Sequence, residues 1–148
     1  WTDVLWEDVD IMFIDMPPGT GDVPLSVYQS IPLSGIIIVT TPQDLVGMIV
    51  RKAVNMANLM NVPVLGLVEN MSYFTCPDCG KRYEIFGASK AEALAGQYNI
   101  PAYARMPIDP NVATLADDGK IAEANTDALQ EIFLEVEKAR EIKSFKAE

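Results

Sequence analysis

The chain has 148 residues, 49% of them apolar, which is enough to bury the core of one ordinary domain and too apolar for disorder to be its main state. Eleven basic against twenty-one acidic residues leave a net charge of −10, and there is no histidine. That balance argues against a nucleic-acid binder and removes imidazole catalysis, Ser-His-Asp triads and His-ligated metals. No apolar stretch reaches the ~18 residues of a membrane span and no basic-then-apolar leader is present, so a cytoplasmic protein is expected.

The chain opens Trp1-Thr2-Asp3-Val4-Leu5-Trp6 without methionine and by Ile11 is already in an apolar, β-like run, so it reads as a fragment entered in the middle. Short apolar runs then alternate with helix-period segments, the pattern of βα units around a parallel sheet. Ile11-Met12-Phe13-Ile14 is the first expected strand and ends at Asp15. After it come Met16-Pro17-Pro18-Gly19-Thr20-Gly21-Asp22 and a helix from Val23-Pro24 with Asp22 as its N-cap. Ile36–Thr40 is β-branched along its whole length and is the second strand. Thr41-Pro42-Gln43-Asp44 supplies a hydroxyl cap and a proline start for a helix whose apolar stripe is Leu45, Ile49, Ala53, Met56 and Met60.

The third strand is Val64–Val68. Ser89-Lys90-Ala91-Glu92 reads as a capping box, Ala102–Met106 as a strand nearer an edge, and Asp109-Pro110 as another cap-then-proline start. A last helix from about Asp127 places Leu129, Ile132, Phe133 and Val136 on one stripe and ends in a charged tail, Lys146-Ala147-Glu148, expected to fray. No repeat or linker divides the chain, so residues 1–148 are expected to belong to one domain, with a small hairpin at about 72–85.

Three features could carry chemistry. An acid at the carboxyl end of a buried parallel strand lies where open α/β sheets bind ligands and could hold Mg²⁺ or its waters, which singles out Asp15. The prolines keep the chain extended beyond it, and Gly19 and Gly21 let backbone N–H groups approach an anion. The plainer reading is an ordinary strand-to-helix turn. Second, Cys76-Pro77-Asp78-Cys79-Gly80 has the form of a metal knuckle, in which backbone N–H groups point at the thiolates. Redox Cys-x-x-Cys pairs usually open a helix, whereas aromatic Tyr73-Phe74 and then Lys81-Arg82-Tyr83 flank this one. Two thiolates are half of a tetrahedral site, so closing it takes a second copy across a two-fold axis, giving Cys₄ for zinc or an iron–sulfur cluster. The plainer alternative is two reduced structural thiols. Third, Asn70 at a strand end could read a base, although asparagine there is more often a turn former. Seven methionines are more simply core filling than a soft-metal groove. No Gly-Lys-Ser/Thr is present, so a P-loop phosphate cradle is not encoded in these residues.

Taken together, Asp15–Asp22, then Val39-Thr40-Thr41-Pro42-Gln43-Asp44, then Val68–Gly80 resemble the Mrp (ApbC-like) proteins, iron–sulfur cluster carriers of the deviant-Walker P-loop ATPase group that contains MinD. The resemblance runs from about Trp6 to about Gly119 in the family's order. It implies a three-layer, Rossmann-like α/β P-loop NTPase with a mostly parallel sheet. The first strand, the Walker A loop and switch I would lie upstream of Trp1. It further implies ATP and Mg²⁺ as ligands, with Asp15 as the Walker B or switch II acid and Gly19 offering its N–H to the γ-phosphate. Asn70 would bond adenine, and Pro107-Ile108-Asp109 would lie beside the base. Cys76 and Cys79 would hold a [4Fe–4S] cluster between two protomers of a homodimer for delivery to apo client proteins, without nucleic acid or membrane. Lacking the Walker A loop, the 148 residues themselves are expected not to hydrolyse ATP. The alternative is a non-enzymatic, zinc-bridged dimerisation module on an inactive nucleotide fold. A MinD-like membrane helix is disfavoured by six acids against four bases from Asp127 to Glu148.

Overall fold

The computed structural model describes residues 3–19, 21–43 and 45–144, with side chains to residue 140. Thr20 of the glycine turn, Asp44 of the expected cap and the tail Lys146-Ala147-Glu148 lie outside the described residues. The elements run α1 (Asp22–Ser30), β1 (Ile36–Thr40), α2 (Val46–Leu59), β2 (Val64–Thr75), β3 (Arg82–Tyr83), α3 (Ala91–Tyr98), β4 (Tyr103–Pro107), α4 (Pro110–Asp117) and α5 (Gln130–Ser144). Two single 3₁₀ turns, Ile121–Glu123 and Asp127–Leu129, lead into α5.

β2 is the centre of the sheet. It pairs in parallel with β1 (Ile38↔Leu67) and with β4 (Leu67↔Tyr103), while its far end pairs antiparallel with β3. Side-chain alternation then divides the core. Ile38 and Leu67 face α2 and α3 and pack with Val46, Val50, Val54 and Leu94. Val68, Ala102 and Ala104 face α5 and pack with Ile132. Helices thus cover both faces, giving the expected three-layer α/β arrangement on a mostly parallel sheet. Under α5 the approach is close: a Cβ placed on Gly66 would fall 2.4 Å from Ile132 Cδ1.

Several local expectations are corrected. Ile11–Ile14 is not a strand. Residues 11–17 form neither helix nor strand, and Phe13 is 68% exposed. Strand propensity alone leaves backbone groups to water unless an edge in register is at hand, and no described strand pairs with this segment. α1 begins at Asp22 with Gly21 in the cap position, so Asp22 lies in the first turn and does not cap with its side chain.

Thr41-Pro42 does not open α2. Gln43 N–H turns back to the Thr41 carbonyl at 2.9 Å, Pro42 is fully buried, and the helix starts at Val46. The buried face is accordingly Val46, Val50, Val54 and Ala57, one position on from the expected stripe, of which Leu45 and Ile49 are exposed. One position is roughly 100° of rotation. Ser89 caps only weakly, at 3.4 Å from Ala91 N. The last stripe keeps Ile132 but exposes Phe133. Asp109 caps α4 as expected, its carboxylate accepting from Asn111 N–H at 2.9 Å with Pro110 at the first helical position.

Candidate functional site

β2 continues well past Val68. Between Glu69↔Arg105 and Tyr73↔Pro107 it advances four residues while β4 advances two, and the excess is taken up by a bulge in which Met71 has φ +55°. Asn70 therefore lies in a bulge inside a 12-residue strand rather than at a strand end. Its carboxamide oxygen accepts Met71 N–H at 2.9 Å, which leaves the amide nitrogen as the group free to face a ligand. Beyond the bulge, Tyr73 O accepts Ile108 N–H at 2.7 Å and so fixes the Pro107–Asp109 corner. A cleft of about 390 Å³ opens there, lined by Tyr73, Arg82, Pro107, Asp109, Asn125 and Asp127 among others. Pro107 and Asp109 thus share one cleft, and Asn70 does not line it.

The cysteines sit on the turn between β2 and β3, closed by Phe74↔Tyr83 and Thr75↔Arg82. Cys76 N–H donates to the Lys81 carbonyl and Gly80 N–H to the Cys76 carbonyl, both at 2.9 Å, with Gly80 at φ +68° where glycine is favoured. Both thiols are free, Cys76 half-buried and Cys79 exposed. Hydrogen bonds from the Cys79 and Asp78 backbone N–H groups, and from the Cys79 side chain, hold the Cys76 thiol below its ordinary range. Amides aimed at sulfur are what a metal knuckle needs, because they offset thiolate charge before any metal arrives. Around the turn, the Arg82 guanidinium stands 4.5 Å from the Tyr73 ring centroid and the Lys81 ammonium 5.3 Å from that of Tyr83. No group of three or more potential metal ligands occurs among the described residues, so each chain offers two thiolates. The donor set fits a metal or cluster shared between two copies.

Asp15 and Gly19 stand apart from these. Asp15 is exposed on the unpaired segment, and Gly19 adopts φ +98° with open space around the place of its missing Cβ. The turn thus has the backbone freedom to present N–H groups, and no further ligand cluster gathers about Asp15 among the described residues.

The sequence reading missed a buried ionic network. Glu69 is fully buried; its Oε1 accepts Ser72 Oγ–H at 2.6 Å and its Oε2 accepts Lys90 N–H at 3.0 Å, at the start of α3. Arg105 Nε donates to Ser72 Oγ at 2.8 Å, 3.8 Å from Glu69 Oε1, and Arg105 Nη2 donates to Glu84 Oε1 at 2.6 Å. Burial pushes the Glu69 carboxyl up, but hydrogen bonds from Ser72, Ser89 and Lys90 N–H, together with Arg105, bring it below its ordinary value. The available signal was a lone carboxylate directly after the apolar run Val64–Val68, and such a group is buried only when satisfied.

A mostly parallel sheet covered on both faces defines a three-layer α/β protein. Residues 1–140 match the family model described as ParA, NUBPL iron-transfer P-loop NTPase, and the chain belongs to that family. It is 44% identical over 128 residues to the iron–sulfur cluster carrier protein of Pseudomonas fragi, covering 84% of this chain and 45% of that one. It is 46% identical over 115 residues to the iron–sulfur cluster transfer protein NUBPL of Mus musculus, covering 78% and 36%. A nucleotide-binding protein from Archaeoglobus fulgidus, in complex with ADP and with Co found by PIXE, superposes with a TM-score of 0.72 at 45% identity, over 78% of this chain and 47% of that one. The chain thus spans between about a third and a half of the length of these relatives.

Proposed function

We propose that this chain is the cluster-holding part of an iron–sulfur cluster carrier. Cys76 and Cys79 of two protomers hold one [4Fe–4S] cluster as cargo for apo client proteins. The observation that carries this reading is the knuckle itself: two free thiols on a short hairpin, backbone N–H groups directed at Cys76, and no third cysteine to complete a site within one chain. A cluster held at the surface by four thiolates from two chains opens when the protomers part, which suits cargo better than a permanent cofactor.

In the complete protein the chain also serves a Mg-ATP site. Asp15 acts on Mg²⁺ through water, Gly19 offers its N–H to the γ-phosphate, the Asn70 amide reads adenine, and Pro107 and Asp109 flank the base. Bound nucleotide would supply a phosphoanhydride for hydrolysis, but the N–H cradle and lysine that provide most of that catalysis are not among these residues. The 148-residue chain alone is therefore expected to show negligible ATP turnover.

The test is iron, zinc and acid-labile sulfide content, with native mass, after reconstitution without oxygen. About four iron and four sulfide per dimer, lost in Cys76→Ser and Cys79→Ser, is the expected outcome. Zinc at about one per dimer without sulfide would overturn it and leave a structural dimerisation module.

A further inference from the structure

The cysteine turn has little to hold it in place by itself. Its two antiparallel pairs are a marginal hairpin, and β3 is two residues long and exposed. What reaches it from the body of the fold is Arg105. From β4 its guanidinium binds the Ser72 hydroxyl beside buried Glu69 with one nitrogen and Glu84, just past β3, with another, and it lies 5.6 Å from the Tyr73 ring centroid. Glu69 in turn holds Lys90 N–H, so the segment returning from the hairpin is tied at residue 84 and again at residue 90.

We propose that Arg105 is the positioning residue of the cysteine hairpin, bridging the buried Glu69–Ser72 pair to Glu84 so that Cys76 and Cys79 are fixed at the end of β2. Its purpose rests on the cluster reading above; its geometry does not. Arginine suits the task because its planar fork donates from separate nitrogens in fixed directions, whereas a lysine ammonium gathers its three donors on one freely rotating nitrogen and holds no such geometry.

Amide hydrogen exchange at Cys76 and Gly80, whose N–H groups close the turn, reads the anchoring without any metal. The Arg105 and Glu84 side chains are 34% and 41% exposed, so Glu84→Ala removes the outer tie without opening the core. It is expected to speed exchange at both amides roughly three- to fivefold, the size of one half-exposed charged contact, with the Leu67 amide unchanged. Glu84→Gln keeps an oxygen for Nη2 and restores slow exchange; Arg105→Lys keeps the charge and does not. Wild-type exchange in both Glu84→Ala and Arg105→Lys, or acceleration spread equally to Leu67, would overturn the proposal. In the same variants the reconstituted cluster's visible absorbance should decay faster in step with the exchange, and unchanged decay would remove the positioning role. If the wild-type protein takes up no cluster, the functional reading fails, and the exchange data still decide whether Arg105 anchors the turn.

Discussion

The segment from Ile11 to Gly19 and the hairpin from Phe74 to Tyr83 are both short, both rich in turn-forming residues and both carry candidate ligands, yet they are held very differently. The hairpin has paired neighbours, closed turn amides and an arginine that joins Glu84 just past it to Ser72 just before it. The earlier segment is preceded by Asp10, bound to Arg140 of α5 at 2.7 Å in an exposed contact of small worth, and leaves Phe13 in water. The difference teaches that apolar, β-prone sequence is permission to form a strand and that an edge in register is the cause. Ile36–Thr40 has such an edge along β2; Ile11–Ile14 has none among the described residues. It also ranks the two halves of the candidate site, since hydrogen bonds organise the thiolate half and no ligand cluster gathers about Asp15 among the described residues.

The sharpest way to break this comparison is a pair of truncations. Leu67→Ala, at a fully buried position between α2, α3 and the sheet, should lower the unfolding free energy by about 2–5 kcal/mol in urea titrations. Phe13→Ala should change it by no more than about 0.5 kcal/mol. Similar losses from both would put Ile11–Ile14 in a packed strand. Next in size is the buried carboxylate. Glu69→Gln should cost about 1–3 kcal/mol, because the amide replaces a charged acceptor for Ser72 and Lys90 N–H. The pH dependence has a definite sign. The folded carboxyl lies below its ordinary 4.5, so its stabilisation is complete above that value and is lost as pH falls through the lowered one. Glu69→Gln should therefore flatten that part of the acid-unfolding curve, and an unaltered curve would show that Glu69 is not held ionised. Smallest is Asp109→Ala, which removes the α4 cap and should cost ~1 kcal/mol while leaving hairpin exchange unchanged. A loss confined to the hairpin instead would join the Pro107–Asp109 corner to the cysteine turn.

β1 and the first half of β2 were legible because short apolar runs bounded by Gly or Pro, β-branched throughout in β1, have few other uses, and Asp109-Pro110 was legible because cap and proline act within three residues. The face of α2 was not. Leu45, Ile49, Ala53 and Met56 are as apolar as Val46, Val50, Val54 and Ala57, and only packing against Ile38, Leu67 and Leu94, which lie far apart in sequence, distinguishes the two faces. The turn that carries Cys76 and Cys79 could be read from its spacing, since its hydrogen bonds are local. Glu69, Ser72, Glu84 and Arg105 could not, because Arg105 is 33 residues from Ser72 and 21 from Glu84, and a pairing over such separations exists only once β4 lies beside β2.

Gly66 and Ile132 have a consequence of a different kind. The space where a side chain would stand on the strand is filled by a methyl group from the helix, so the two positions share one volume. A helix lying on a uniformly branched strand could shift along it and find much the same fit. Here α5 carries a peg that matches a single notch, and sliding by one turn would drive the peg into a neighbouring side chain. The pair acts as an index mark: it sets where along the sheet the last helix comes to rest, and any enlargement at one position has to be answered by trimming at the other.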